Sequence, residues 1–95
     1  MPMKFEWNRK KAASNYSKHG VTFEEAMTVF ADPLARIFDD TDQTADHGRE
    51  IIVGHSVKDR LLLVCFTAPA HTIRIISARR PTKNERKDYE ENVKS

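Results

Sequence analysis

A single cysteine in 95 residues removes any internal disulfide. A structural zinc site would then have to be built from histidine and carboxylate alone. Long apolar runs are missing too. The longest, Leu61-Leu62-Leu63-Val64-Cys65-Phe66, is six residues, far short of the ~20 that a membrane-crossing helix requires, so no membrane partner is expected. The opening stretch Met1-Pro2-Met3-Lys4-Phe5-Glu6-Trp7 has no apolar signal region, and the chain reads as a cytoplasmic protein. Internal repeats and low-complexity segments are absent as well.

What is present describes one small globular domain over residues 1–95, with 39% hydrophobic and 32% charged residues and no room for a second core. The net charge of +2 hides an uneven distribution. Residues 1–20 carry five Lys/Arg against one acid, and residues 71–95 carry seven against four. Residues 21–50 carry two against eight. Basic ends that meet in the fold would form a patch suited to phosphate, whereas scattered ends would only be solvated charge.

The residue pattern predicts the order β-α-α-β-β-β-β-α. Phe5-Glu6-Trp7 reads as a short strand, and Asn8 as the N-cap of a helix from Arg9 to about Lys18, ended by His19-Gly20. Ala12, Ala13 and Tyr16 give that helix a thin apolar side; Lys11, Asn15 and Lys18 give it a polar stripe. Thr22-Phe23-Glu24-Glu25 is a capping-box sequence opening a second helix, with Phe23, Ala26, Met27 and Phe30 at helical spacing and Asp32-Pro33 ending it. Strands follow at 34–38, 49–56, 60–67 and 72–78, most economically paired as an antiparallel meander. The third of these is apolar on both faces and belongs at the centre of the sheet. Thr82-Lys83-Asn84-Glu85 repeats the capping box and opens a charged helix anchored by Tyr89 and Val93.

Over nearly its whole length the chain resembles the BrnT family, toxins of type II toxin–antitoxin systems. The resemblance rests on three blocks in matching order and spacing. The first is Phe5-Glu6-Trp7 with Lys11, Asn15, Lys18-His19-Gly20-Val21 and Phe23-Glu24-Glu25-Ala26. The second is Arg49 with Gly54, Ser56 and Val64-Cys65-Phe66-Thr67. The third is Ile73-Arg74-Ile75-Ile76-Ser77-Ala78-Arg79-Arg80 with Glu85, Arg86 and Tyr89. It implies an α+β, RelE-like fold and a metal-independent ribonuclease without cofactor that blocks translation by cutting free or ribosome-associated RNA. It also implies neutralisation by a BrnA-type antitoxin, through which alone the pair would reach operator DNA. The chain departs from the family pattern at Asn8-Arg9, at Gly48 before Arg49, at Ala68-Pro69-Ala70 and at Pro81.

Metal-free cleavage of RNA needs a base for the 2′-hydroxyl, fixed cations for the phosphorus oxygens and an acid for the leaving 5′-oxygen. Arginine suits the cation role because its planar donors grip phosphate in two places and keep their charge. Arg79 and Arg80 point to opposite sides of an extended chain. A strand regular to its end puts Arg80 with Arg74, so the expected clamp is Arg74 with Arg80, or Arg79 alone. Arg49 and His55 share parity, and His55 is a candidate acid or base; a satisfied strand-end histidine is its other reading. Tyr89 offers a hydroxyl or a stacking ring, or a packing side chain beside Val93. Glu85 is a capping residue first and a base second, and Trp7 is core first and a base-stacking ring second. Lys11, Lys18 and His19 are the expected RNA-binding set, with solvation and helix capping as their alternatives. His47 and His71 fall in expected loops with no pattern around them.

Asp39, Asp40, Asp42 and Asp46 crowd one loop with His47, but their spacing misses the calcium-loop pattern, and no metal site is expected. That acidic stretch is instead a candidate edge for a partner chain. The competing reading of the whole sequence is a non-catalytic module that binds nucleic acid or a partner within an autoregulatory complex. Binding needs only the cations, whereas cleavage needs an acid–base pair near them.

Overall fold

A computed structural model of the chain describes residues 4–39 and 48–94. Among these the order is β1 (Lys4–Glu6), α1 (Arg9–His19), α2 (Phe23–Thr28) with a tight turn at Val29–Ala31, β2 (Arg36–Asp39), β3 (Glu50–His55), β4 (Leu61–Thr67), β5 (Thr72–Arg79) and α3 (Lys83–Lys94). The element order read from the sequence is the one observed. The acidic residues Asp40, Asp42 and Asp46, with His47, lie outside the described residues.

Local chemistry sets the helix ends. The Lys11 N–H donates to Asn8 Oδ1 at 3.1 Å, and Gly20 closes α1 in the left-handed conformation at φ 68°, its N–H donating to the Tyr16 carbonyl. Only half of the capping box at α2 forms. The Glu25 N–H donates to Thr22 Oγ1 at 3.0 Å, but the Glu25 carboxylate turns inward to Ser56 and Arg60 instead of back to Thr22. The box at α3 is complete: Thr82 N–H donates to Glu85 Oε1 at 2.8 Å, and Glu85 N–H to Thr82 Oγ1 at 3.2 Å.

The sheet runs β1-β5-β4-β3-β2. The meander from β2 to β5 is antiparallel, and β4 is central, buried from Leu61 to Phe66 as its two-sided apolar sequence requires. β1 closes the outer side of β5 in parallel register, Lys4 with Thr72 through Glu6 with Arg74. The basic N-terminal segment is thereby joined to the basic C-terminal strand. One sheet face carries the main core, where α1, α2, the Val21 link between them and the turn at Val29 bring Ala12, Val21, Phe23, Ala26 and Val29 onto Ile52, Leu62, Val64, Phe66, Ile73, Ile75 and Ala78. The other face holds a smaller cluster of Val53, Leu61, Leu63 and Tyr89, with Phe38, Ile51 and Val93 at its margin. Tyr89 and Val93 pack together as expected.

Two local details differ from the sequence reading. Ala13 and Tyr16 are exposed, the latter to 58%, and the inward side of α1 is Ala12 with Asn15. The Asn15 amide donates to the carbonyls of Val21 (3.0 Å) and Ala78 (2.8 Å), while its oxygen accepts the Ala78 N–H (3.0 Å). Asn15 therefore leaves the polar stripe and acts like a short pairing strand, satisfying the β5 edge where β1 has ended. Secondly, β5 is not regular. Leu63 pairs with Arg79, Val64 with Ala78 and Cys65 with Ser77, but Phe66 pairs with Ile75, so Ile76 is an extra residue in a β-bulge.

Candidate active site

The bulge decides which arginines share a face. Past Ile76 the alternation of β5 shifts by one residue, and register partners lie on the same side of a sheet. Arg74 is paired to Thr67, and Arg79 to Leu63, which places both on the face that α3 covers. Arg80 lies beyond the strand and is exposed. The expected union of Arg74 with Arg80 is therefore corrected to Arg74 with Arg79, because an extra residue in the strand inverts the parity that a regular strand would keep.

The same rows place other predicted residues on this face. Val53, Leu63 and Arg79 stand in one row with Arg36 of β2, and His55 is paired to Leu61. Arg49 precedes β3 with the parity of Ile51, which continues the ladder to a position opposite Thr67. Two strand spacings, about 10 Å, then separate the Arg49 and Arg74 backbones. The Arg49 Nε is buried and has no hydrogen-bond partner.

Arg79 is held rather than loose. Its Nη1 and Nη2 donate to Glu85 Oε1 (2.8 Å) and Oε2 (2.9 Å), a fork-to-fork pair across the turn into α3. Hydrogen bonding to Arg79 is the main cause that brings the Glu85 carboxyl down from 4.5 to about 2, and the same contact raises Arg79. A carboxylate this weakly basic is a poor proton acceptor at neutral pH. Its function is to cap α3 and fix the guanidinium. Beside this pair, Phe38, Ile51, Val53, Leu63, Glu85 and Asp88 line a cavity of about 260 Å³.

His55 stands at the far side of α3. Its ring packs edge-on against Tyr89 with centroids 6.1 Å apart. Its backbone N–H donates to Asp32 Oδ2 at 2.7 Å, and the ring Nδ1 lies 3.8 Å from the same oxygen. Asp32 also accepts the Leu34 N–H at 3.0 Å, so one carboxylate ties the end of β3 to the entry of β2. Gly54 allows this, since a Cβ there would meet Ala35 Cβ at 2.8 Å and Asp32 Oδ2 at 2.9 Å. Strand geometry puts the Arg79 and His55 backbones ~12 Å apart with Tyr89 between them. Tyr89 is buried, and burial, with the Asp32 charge second, raises its hydroxyl, which donates to the Leu34 carbonyl at 3.4 Å.

Lys11, Lys18 and His19 are exposed along α1. They line two adjoining hollows between α1 and β5, which share Lys11 and Ile76. Among the described residues no group of three His, Cys, Asp or Glu is arranged to hold a metal ion, and no helix is long and apolar enough to cross a membrane. His71 is exposed in the β4–β5 turn, at φ 65°.

The sequence reading missed Asp32 and Glu6. In the sequence Asp32 reads only as a helix terminator; its side-chain role comes from a contact 23 residues away, which no local pattern encodes. Glu6 receives the Arg74 Nε at 2.7 Å, a contact that follows from the unpredicted parallel pairing of β1 with β5. Asn15 did carry a signal, as it lies three positions from Ala12 and so on the same helical side.

Fold and face together define a small α+β protein with an arginine-lined sheet surface partly roofed by its C-terminal helix. Residues 7–85 match the family described as "Ribonuclease toxin, BrnT, of type II toxin-antitoxin system", and the chain belongs to that family. Its fold is similar to that of the Brucella abortus ribonuclease toxin BrnT, known from a crystal structure at 1.1 Å resolution, with a TM-score of 0.67 and 21% identity over 86% of this chain and 100% of that one. No curated protein matches the sequence.

Proposed function

We propose that this chain is an endoribonuclease that cuts RNA without a metal ion, and that it acts as the toxin of a pair whose antitoxin is of the BrnA type. The observation that carries this reading is the gathering of Arg74 and Arg79 on one sheet face by the β5 bulge. Arg79 takes the scissile phosphate, pre-oriented by Glu85, and stabilises the charge that grows on the phosphorus oxygens. Arg74 and Arg49 hold neighbouring phosphates of the strand, and Lys11, Lys18 and His19 extend the cationic surface along α1. Imidazole is the side-chain type best suited to proton exchange at neutral pH. We assign His55 the proton from the attacking 2′-hydroxyl, solvent water the proton taken up by the leaving 5′-oxygen, and Asp32 the task of orienting the imidazole. The strand engages both groups by crossing beside α3. Tyr89 serves as the wall between them rather than as a proton donor, because its ring is buried.

Loss of translatable RNA then halts protein synthesis in the cytoplasm, and the antitoxin relieves it by covering the arginine face. Purified protein incubated with RNA in EDTA tests the chemistry. Cleavage leaving 2′,3′-cyclic phosphate and 5′-hydroxyl ends is the expected result. Activity that appears only when a divalent ion is added would overturn metal independence.

A further inference from the structure

A hollow beside β1 lies away from α3, at the sheet edge where β1 ends. It has a volume of about 350 Å³ and is lined by Glu6, Trp7, Asn8, Lys11, Arg74, Ile75 and Ile76, a size within the range of small-ligand sites. Three different elements build it. β1 contributes Glu6 and leads into Trp7, α1 contributes Lys11, and the bulge of β5 contributes Ile76. Trp7 is half-buried: it packs edge-on against Phe23, centroids 5.9 Å apart, and also lines the hollow. Glu6 accepts from the Nε and Nη2 edge of Arg74, leaving Nη1 unengaged among the described residues. Lys11 is exposed, and its backbone N–H donates to Asn8 Oδ1.

We propose that this hollow is a nucleotide subsite, in which a base lies against Trp7 and Ile76 and its phosphate sits between Lys11 and Arg74. The proposal rests on RNA being the substrate and adds where a nucleotide flanking the cut is held. An indole and an aliphatic side chain accept any base, since every base has a stacking face. A lysine from α1 and an arginine from β5, both lining the hollow, meet a phosphate without reading sequence. Arg74 belongs both to this hollow and to the α3 face, so a strand held here runs on along β5 toward Arg79, ~15 Å away by strand rise. A proteinaceous acidic ligand fits less well, because the apolar part of the lining is a flat aromatic and an isoleucine, which suit the planar face of a base.

Trp7 is the sole tryptophan, so intrinsic fluorescence reports on this site directly. The probe is a 2′-O-methyl RNA pentamer, which has no free 2′-hydroxyl and cannot be cut. Saturable quenching of Trp7 is expected, with affinity weakened about tenfold in Lys11→Ala, the scale for loss of a charged phosphate contact. Lys87→Ala, on the exposed side of α3, serves as the control and should bind within twofold of the parent. Three results would overturn the subsite: no quenching while a fluorescein-labelled pentamer still binds by anisotropy, quenching unchanged in Lys11→Ala, or equal quenching by a poly-glutamate peptide. Equal quenching by inorganic phosphate alone would also overturn it, by reducing the hollow to an anion site. Because the pentamer is uncleavable, failure of RNA cleavage with quenching intact removes the catalytic reading and leaves the subsite. Cleavage with no quenching removes the subsite alone.

Discussion

Replacing Glu85 with glutamine keeps the side chain's shape and its ability to close the capping box, and removes the charge that pairs with Arg79. The carboxyl is held at about 2 in the folded chain against an ordinary value of 4.5. Taken in full, at 1.36 kcal/mol per unit, that shift is worth about 3 kcal/mol. Both side chains are roughly a third exposed, 35% and 34%, and solvent screening brings such a pair down to about 1 kcal/mol. The sign follows from proton counts. Between pH 4.5 and about 2 the unfolded carboxyl is protonated while the folded one is still ionised. The stabilisation is therefore complete above the unfolded value and drains away as acid carries the pH down through that window. Urea unfolding of the parent and of Glu85→Gln should show a gap of about 1 kcal/mol at neutral pH that shrinks by at least half near pH 3. A gap of the same size at both pH values would refute the ion-pair account and leave helix capping as the whole of Glu85's contribution.

Other substitutions test neighbouring parts of the structure. Asn15→Ala strands the Ala78 N–H and carbonyl, and thermal unfolding should report a loss of about 2–3 kcal/mol; a loss no larger than that of an exposed position would deny Asn15 its strand-like role. Glu25 is 2% exposed and its partner Arg60 27%. Arg60→Met alone should therefore cost about 3 kcal/mol in denaturant unfolding and more than Arg60→Met combined with Glu25→Leu. Gly54→Ala drives a methyl group into Ala35 and Asp32 and should destabilise by about 1–3 kcal/mol in the same assay. His55→Gln should leave the melting temperature in place and lower the cleavage rate about 10²-fold or more; an unchanged rate would remove His55 from proton transfer.

The element order and the central place of β4 were legible because capping residues, helical spacing and two-sided apolar runs are local signals. Asn8 and Gly20 name the ends of α1, and Leu61 to Phe66 can only be a strand covered on both faces. Features that depend on distant partners were not legible. β1 pairs with β5 across 68 positions, and that pairing creates the hollow containing Trp7, Lys11 and Arg74. The bulge at Ile76 left no mark in an isoleucine-rich strand, yet it alone exchanged Arg80 for Arg79 as the companion of Arg74. Glu25 shows the same limit: its position in a capping-box sequence predicted a local contact, and a half-buried arginine partner 35 residues away won instead.

The central claim is that β5 aims Arg79, and not Arg80, at the phosphate. Arg79→Ala and Arg80→Ala, each verified as folded by circular dichroism, should be compared for RNA cleavage in EDTA. The account predicts that Arg79→Ala loses about 10²-fold or more, the scale for removing a preorganised charge at the reacting phosphate, while Arg80→Ala stays within a few-fold of the parent. The reverse order, with Arg80→Ala inactive and Arg79→Ala near normal, would contradict it.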